Sequence, residues 1–326
     1  MKPNPKASIV IPIRNSVDSL NRVLSGLSCQ DFPFPEWEVI GCADGSATDL
    51  GPVLQNFGKV IPGLCLVRQK AKGPAAARNL GIRKSAAPMI IFLDSDILPA
   101  PNLVKELHAA LQENPTSAGV EARIEPLGES FGPLWDGPVC RNGGRFHTAA
   151  IAYRRDALLQ AGGFDETFPF PACEDVDLAM RVLDQGPIPF LPTAVAYHPL
   201  RRITLGTHWR WRGYWKYVMI LAKRHGILAF PDHPVGPFPR LQVAMAAVAG
   251  LPLGRLRQAV MDLPQHPGES LWAAVYALFD VACGLSALPT ILFSAVPPLR
   301  NYLRQGTEAS KEALNLQKKP SSHHFA

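Results

Sequence analysis

Short apolar runs alternate with segments of helical periodicity from residue 8 to residue 125, and this alternation restricts the possible folds more than any other feature. Between the first two runs, for example, apolar residues recur at 17, 20, 23, 24 and 27, the spacing of one helix face. Strands that alternate with helices build βαβ units, so the sequence predicts an α/β fold with a mostly parallel sheet flanked by helices. The runs that we predict to be strands are SIVIPI (8–13), WEVIGCA (37–43), GLCLVRQ (63–69) and PMIIFL (88–93).

The composition narrows the class of protein and its partners. Hydrophobic residues make up 47% of the 326 residues, enough for a sizeable core, whereas only 18% are charged. The low charged fraction indicates that part of the surface does not face water. A net charge of +6 suits anionic partners, and without a basic block, zinc-finger or RNA-binding signature nucleic acid ranks last among them. Six scattered cysteines without a CxxC pair, and an N-terminal apolar run too short for a signal peptide, favour a reduced, cytoplasmic setting.

The sequence pattern divides the chain into three parts. Mixed strand and helix signals continue to residue 198, so we assign residues 1–200 to one α/β domain. In residues 208–224 aromatic side chains are interleaved with basic ones, which is typical of a membrane–water interface. We therefore predict a helical, membrane-associated region over residues 201–305, followed by a polar tail at 306–326.

The apolar stretch 271–299 leaves three interpretations open. It contains one charge, Asp280, and is long enough to cross a bilayer. Asp280, Gly284 and Pro289 argue against an undisturbed span, so a kinked pair of helices lying in the interface is an equal alternative. The third is a soluble helical subdomain packed on the α/β domain. We expect the protein at the cytoplasmic side of a membrane, peripheral or anchored by its C-terminal region, with a soluble cytoplasmic protein as the alternative.

Two aspartates, Asp94 and Asp96, directly follow the fourth predicted strand. In open α/β sheets ligands bind outside the carboxyl ends of the strands, and the turns IPIRN (11–15) and ADGSATD (43–49) fall at that same edge. The helix start GPAAARN (73–79) brings an arginine within reach of a phosphate. Taken singly, each motif is also compatible with an ordinary turn or a closely packed helix, so only their combination indicates a site.

A second acidic group marks the start of a later helix. Glu174, Asp175 and Asp177 lie there, shortly after the glycine stop GGFDE (162–166). Acids at a helix N-terminus are common because the helix dipole favours them. Three acids in four residues are more than capping needs. His198 directly follows a strand, and alone it is more often a surface histidine than a ligand.

Taken in order, these motifs resemble the family 2 inverting glycosyltransferases, which have the GT-A fold of nucleotide-diphospho-sugar transferases. The resemblance covers residues 7–198. It implies transfer of a sugar from a nucleotide-diphosphate donor, with a UDP-sugar expected, to an acceptor hydroxyl with inversion; a lipid-linked acceptor and a polysaccharide both stay open. The motifs that carry it are IPIRN, ADGSATD, GPAAARN, FLDSD, GGFDE, EDVDLAMR and YH.

The resemblance also implies which residues bind the donor. Pro12, Arg14 and Asp44 would border its base and ribose, and Arg78 would lie near the uridine or the diphosphate. Asp94 would face the ribose or the metal. The family often has two acids before the Gly-Ser of the second motif, whereas this chain has Ala before Asp44, so the expectation of uracil rests on one carboxylate.

The same resemblance implies the metal site and the base. Asp96 would hold a divalent cation, Mn²⁺ or Mg²⁺, that bridges the diphosphate, with His198 completing its shell. Such a cation neutralises the charge that gathers on a diphosphate leaving group. Asp175 would be the general base that deprotonates the acceptor, a role worth roughly 10²–10⁴-fold in rate. Glu174 and Asp177 are the acceptor-side candidates.

Two other classes of function remain open at this stage. A nucleotidyltransferase would also place a metal at a strand end, but it usually carries a glycine-rich phosphate loop after the first strand, and IPIRNSVDS (11–19) has none. A non-catalytic membrane scaffold with the same fold would bind nucleotide without turnover.

Overall fold

The computed structural model describes residues 5–61, 63–128, 132–168, 171–211, 213–228 and 239–293. The predicted polar tail and the end of the apolar stretch, from residue 294 onward, lie outside these residues.

Within the described residues, strands and helices alternate through the first half of the chain, as predicted, and helices alone make up its end. The strands are β1 (Ala7–Ile13), β2 (Trp37–Asp44), β3 (Leu64–Gln69), β4 (Met89–Leu93), β5 (Leu98–Pro99), β6 (Gly119–Pro126), β7 (Trp135–Asp136), β8 (Ala150–Arg154), β9 (Phe190–His198) and β10 (Arg201–Arg202). The helices are α1 (Val17–Ser28), α2 (Gly51–Phe57), α3 (Pro74–Lys84), α4 (Leu103–Glu113), α5 (Arg155–Gln160), α6 (Glu174–Leu183), α7 (Leu205–Trp211), α8 (Trp215–His225), α9 (Pro239–Met245), α10 (Leu251–Asp262) and α11 (Pro267–Phe293), with a π-helical segment, Ala246–Gly250, between α9 and α10.

Eight of the strands form one sheet in the order β3-β2-β1-β4-β8-β6-β9-β5. The pairs β3–β2, β2–β1, β1–β4 and β6–β9 are parallel, whereas β8 runs antiparallel to both of its neighbours and β5 runs antiparallel to β9. Strands β7 and β10 form a separate antiparallel pair. The predicted α/β sheet flanked by helices is therefore confirmed, with an antiparallel strand inserted at its centre.

Helices cover both faces of this sheet. Successive side chains of a strand point to opposite faces, and all five residues of β4 are buried. Ile91 and Leu93 pack in one apolar cluster with α1 and α4, while Ile90 and Phe92 pack in another with α3, α5 and α6. Burial on both faces explains why the strand sequence is a continuous apolar run rather than an alternating one.

The C-terminal helices pack against the α/β part rather than standing apart from it. A third apolar cluster joins Val176 of α6 to Tyr217 of α8 and Ala287 of α11. The helical content predicted after residue 200 is confirmed. The apolar stretch, for which a kinked pair of helices was one expectation, forms one continuous helix as far as it is described, with Pro289 inside it. The domain boundary near residue 200 stays a prediction.

Candidate active site at the carboxyl edge of the sheet

Asp94 and Asp96 lie in the turn that ends β4, and His198 ends β9. The three side chains meet: His198 Nε2 lies 3.2 Å from Asp96 Oδ1 and 3.9 Å from Asp94 Oδ2. One ligand atom from each residue lies within 4.8 Å of the others. The structure thus brings together two motifs that are about a hundred residues apart in the sequence, because β5 turns back from β4 and pairs with β9.

Hydrogen bonds orient Asp96 and His198 and favour their charged forms. His198 Nδ1 lies 2.9 Å from the carbonyl oxygen of Pro199, which can only accept, so Nδ1 carries the proton and Nε2 faces the carboxylates. Burial disfavours a charge on Asp96, but hydrogen bonds from His198 and Arg201 outweigh burial and lower the pKa of Asp96 to about 2. Burial also opposes a charge on His198, yet its hydrogen bond to Asp96 raises the pKa of the imidazole.

The donor set fits a divalent metal ion. Two carboxylates and one imidazole are suitable ligands for Mn²⁺, and the carboxylates alone suit Mg²⁺. Each carboxylate also receives a guanidinium: Arg201 Nη2 lies 2.5 Å from Asp96 Oδ2, and Arg78 Nη2 lies 3.0 Å from Asp94 Oδ1. The Arg201 side chain is 78% exposed, so its ion pair with Asp96 lies at the surface of the site.

Arg78 connects this group to the start of α6. Its side chain is buried, lies over the ring of Phe164, and donates through Nη1 to Glu174 Oε1 at 2.8 Å as well as to Asp94. It is therefore engaged by two carboxylates, one at the end of β4 and one at the first residue of α6. Its predicted contact with the nucleotide stays a prediction.

The start of α6 brings two adjacent acids into different surroundings. Glu174 is buried, and its Oε2 accepts the amide of Ala172 at 2.7 Å. Burial and the neighbouring carboxylate of Asp175 raise the pKa of Glu174 to about 7, although Arg78 opposes this shift. Asp175 is 18% exposed, and its Oδ2 lies 3.6 Å from His147 Nδ1.

A single cleft joins the two acidic groups. Its volume is about 360 Å³, large enough for part of a substrate. The residues that line it include Arg78, Asp94, His147, Glu174, Asp175 and Tyr214. Asp94, predicted to face the ribose or the metal, and Asp175, the predicted base, therefore line one cavity.

Asp177, one turn into α6, contacts a different part of the molecule. Its buried carboxylate accepts hydrogen bonds from Arg181 in the same helix and from Arg224 and His225 at the end of α8. Burial opposes its ionisation, but the hydrogen bond from His225 and the charges of these partners lower the pKa of Asp177 to about 2. The contacts tie the acidic helix to the C-terminal helices, and the predicted acceptor-side role stays a prediction.

The predicted nucleotide-binding turns lie at the ends of β1 and β2. Asp44 is buried, and its carboxylate accepts hydrogen bonds from the Gln69 side chain and from the backbone amides of Lys72 and Gly73, at 2.8–2.9 Å. It thereby holds the loop that leads into α3. Arg14 is exposed and Pro12 is half-buried at the end of β1. Contact of these residues with a nucleotide stays a prediction.

Two residues of the site were missed at the level of the sequence. Glu121 of β6 is buried, and its carboxylate accepts backbone amides of the loop 144–146 and the thiol of Cys140. This loop leads directly to His147, the second missed residue, which lines the cleft. The available signal was the single acid inside the otherwise apolar start of a strand, because a charge there needs several hydrogen bonds.

Comparison with known proteins identifies the family and the fold that this chain resembles. Residues 8–150 match the family model described as glycosyl transferase family 2. The pre-mycofactocin glycosyltransferase of Mycobacterium tuberculosis is 32% identical over 213 residues, covering 60% of this chain and 43% of the relative. A validoxylamine A glucosyltransferase of Streptomyces hygroscopicus subsp. jinggangensis is 33% identical over 222 residues, covering 56% of this chain and 52% of the relative. The chain thus spans about half the length of these curated relatives.

Solved structures share the fold at low identity. S. aureus TarS 1–349 has a TM-score of 0.53 at 15% identity, covering 94% of this chain and 92% of its own, and it has also been solved in complex with UDP. The mannosyltransferase PcManGT from Pyrobaculum calidifontis, in complex with GDP-Man and Mn²⁺, has a TM-score of 0.53 at 19% identity. The match covers 96% of this chain and 81% of PcManGT. At these identities the likeness shows the fold alone.

Proposed function

Since the chain carries a family 2 glycosyltransferase domain of GT-A fold, we propose that the protein transfers a sugar from a nucleotide-diphosphate donor to an acceptor hydroxyl, with inversion at the sugar. The observation that carries this proposal is the cleft that joins Asp94, from the group of metal-ligand type, to Asp175 at the start of α6. A divalent cation and one carboxylate base are what a single displacement on such a donor requires.

The donor side rests on the Asp94, Asp96 and His198 group. Asp96 and His198 would hold Mn²⁺ or Mg²⁺, and the ion would stabilise the negative charge of the departing nucleoside diphosphate. Arg78 keeps Asp94 oriented from the other side. Complexes of similar folds with UDP, and with GDP-Man and Mn²⁺, support a nucleotide sugar and a divalent ion, and we propose a UDP-sugar as donor. Pro12, Arg14 and Asp44 remain the proposed base and ribose contacts.

The acceptor side rests on Asp175. Its carboxylate lies at the cleft, partly exposed, at the N-terminus of α6. It is therefore suited to take the proton of an acceptor hydroxyl as the hydroxyl oxygen attacks the sugar. The adjacent Glu174 is hydrogen-bonded to Arg78 and to a backbone amide, so it is suited to hold the site rather than to exchange protons with the acceptor. We propose that the acceptor hydroxyl belongs to a lipid-linked molecule or a polysaccharide. We also propose that the protein is located at the cytoplasmic side of a membrane.

Two single variants separate chemistry from donor binding. Donors are first identified by thermal stabilisation with a panel of nucleotide sugars, in Mn²⁺ and in chelator. Asp175→Asn keeps the shape of the side chain but removes the proton acceptor, so single-turnover transfer should fall by roughly two to four orders of magnitude with donor affinity unchanged. Asp96→Asn should instead weaken metal-dependent donor binding.

Three results would contradict the proposal. Transfer by Asp175→Asn at the wild-type rate would remove Asp175 as the base. Equal donor affinity in chelator and in Mn²⁺ would remove the metal. Donor binding without transfer or hydrolysis by the wild-type protein would favour a non-catalytic scaffold.

A further inference from the structure

Helix α11 is long and apolar, yet most of it is not buried in the protein. It has 27 residues and a mean hydropathy of 1.7 over its most apolar window, of which only 33% is buried. A helix this apolar at the centre of a soluble protein is buried on most sides. The exposed apolar surface of α11 therefore indicates that this helix contacts an apolar environment rather than water.

The buried side chains of α11 are mostly small, with Ile291 as the large exception, whereas most of its large apolar side chains are exposed. Its buried stripe includes Ala273, Ala277, Gly284 and Ala287, and a Cβ atom at Gly284 would lie 2.2 Å from the carbonyl oxygen of Ala247. Small residues at helix contacts with large apolar ones facing outward are typical of helices in lipid and the reverse of soluble proteins. The outward residues, 40–83% exposed and called here the apolar face of α11, are Leu271, Trp272, Val275, Leu278, Leu285, Leu292 and Phe293.

The only charge between residues 271 and 293 does not interrupt this face. Asp280 is buried on the inward side, where its Oδ2 accepts a hydrogen bond from Nε of Arg255 in α10 at 2.8 Å. The ion pair lies between the two helices of the α10–α11 hairpin. The outward side of α11 therefore carries no charge over its described length beyond residue 270.

Contacts at both ends of α11 determine how it lies. Near its start, Glu269 accepts a hydrogen bond from Trp135 of β7, and near its end Ala287 and Ile291 pack in the cluster that contains α8. A helix of 27 residues is about 40 Å long. Because both ends contact the rest of the protein, the helix lies along its surface and does not project from it as a membrane span would.

We propose that the apolar face of α11 lies in the plane of a phospholipid bilayer, buried among the acyl chains at the headgroup boundary of one leaflet. The neighbouring helices suit this position. Helices α7 and α8 pack against α11 and expose Trp209, Lys216 and Lys223, and aromatic and basic residues are favoured at the headgroup level. The basic residues match anionic headgroups. The inference is independent of the transferase proposal, because it uses neither the donor nor the metal.

Flotation of the full chain with vesicles tests this position. The probes are phosphatidylcholine vesicles with and without phosphatidylglycerol, in the absence of nucleotide and metal. Leu271→Gln combined with Leu278→Gln changes two side chains that are 68% and 74% exposed, so the fold should be unaffected. We expect about tenfold weaker vesicle binding for each leucine, and stronger wild-type binding when the anionic lipid is present. The control is Val60→Gln, at an apolar residue of similar exposure (51%) outside the C-terminal region, which should bind like the wild type.

Several outcomes would overturn the proposal. Vesicle binding by the double variant equal to the wild type, or equal loss in Val60→Gln, would show that the apolar face is not the contact. Wild-type protein that stays with membranes after alkaline carbonate extraction would show a spanning segment instead of an in-plane one. A stable dimer that does not bind vesicles would show that a second copy covers the face. Donor binding measured in parallel separates each of these from failure of the transferase proposal.

Discussion

Arg224, near the end of α8, holds two buried carboxylates and links the acidic helix α6 to the C-terminal helices. Its Nη1 lies 2.8 Å from Asp165 Oδ2 and 3.1 Å from Asp177 Oδ1, and both aspartates are fully buried. The substitution Arg224→Met keeps most of the apolar stem and removes the guanidinium. Because Asp177 lies two residues after the proposed base Asp175, the variant tests whether α8 positions the active site.

The contacts of the two aspartates allow an estimate of how much Arg224→Met lowers the free energy of unfolding. After the substitution Asp177 keeps its bonds from Arg181 and His225, whereas Asp165 keeps the backbone amide of Thr167. Removing one partner of a buried ion pair costs about 3–5 kcal/mol, because a buried charge is left uncompensated. Since Asp177 retains two hydrogen-bond partners, we expect a loss at the lower end, about 3 kcal/mol of the free energy of unfolding.

Acid stability gives a second measure of the same network. Burial opposes the charge on Asp177, but its cationic partners lower its pKa from 3.8 to about 2. A carboxylate whose pKa is lower in the folded state stabilises the fold above its unfolded pKa, and this contribution is lost as the pH falls through the folded pKa. The free energy of unfolding of the wild type should therefore fall by about 2 kcal/mol, through protonation of Asp177, as the pH falls from about 4 to below about 2. Asp177→Asn should remove this dependence.

Urea unfolding of the full chain, followed by far-UV circular dichroism in mild detergent, measures these differences. The matched control is Lys223→Met, which makes the same change of charge at the adjacent, exposed residue and should cost less than about 0.5 kcal/mol. Single-turnover transfer should also fall in Arg224→Met and not in the control. The reasoning fails if the free energy of unfolding of Arg224→Met lies within about 1 kcal/mol of the wild-type value, or if Lys223→Met loses as much free energy of unfolding as Arg224→Met.

Three further variants test contacts that hold the site and the C-terminal helices. Glu121→Gln should lower thermal stability by about 1–3 kcal/mol and reduce transfer, because an amide group would face a backbone N–H of the loop before the cleft; unchanged melting and activity would refute this role. Asp44→Asn should lower both thermal stability and donor affinity, since the carboxylate holds the loop into α3; calorimetry that shows weaker donor binding without loss of stability would indicate a direct contact only. Gly284→Ala should lower thermal stability by about 1–3 kcal/mol through its clash with Ala247 in the π-helical segment. Gly254→Ala, with no atom near its Cβ, should be neutral or stabilising in the same melts.

The order of strands and helices was determined by the sequence itself. The apolar run at 8–13 became β1 at Ala7–Ile13, and the run at 88–93 became β4 at Met89–Leu93. The periodic segment from residue 17 became α1 at Val17–Ser28. Such patterns are local, because burial of one helix face imposes a period of about 3.6 on neighbouring residues, whereas burial of a strand on both faces gives a short continuous apolar run. For the same reason the position of Asp94 and Asp96 at the end of a strand could be predicted.

The partners of the site residues were decided by the tertiary structure alone. Asp96 meets His198 only because β5 pairs back onto β9, and Arg78 lies between Asp94 and Glu174 only because α3 and α6 pack on the same face of the sheet. No local period encodes a contact between residues about a hundred positions apart.

Asp175 and Asp177 of α6, and the apolar helix α11, also show which features the sequence determined and which the tertiary structure decided. From the sequence, Asp175 and Asp177 shared one helix start, but the packing of α8 gives Asp177 two further partners, Arg224 and His225, and leaves Asp175 at the cleft. The sequence also identified α11 as apolar and long enough to cross a bilayer. Which of its side chains point inward depends on where the neighbouring helices approach closely, and at Gly284 only a residue without a side chain fits. Periodicity tells which residues share a face, whereas packing decides what that face meets.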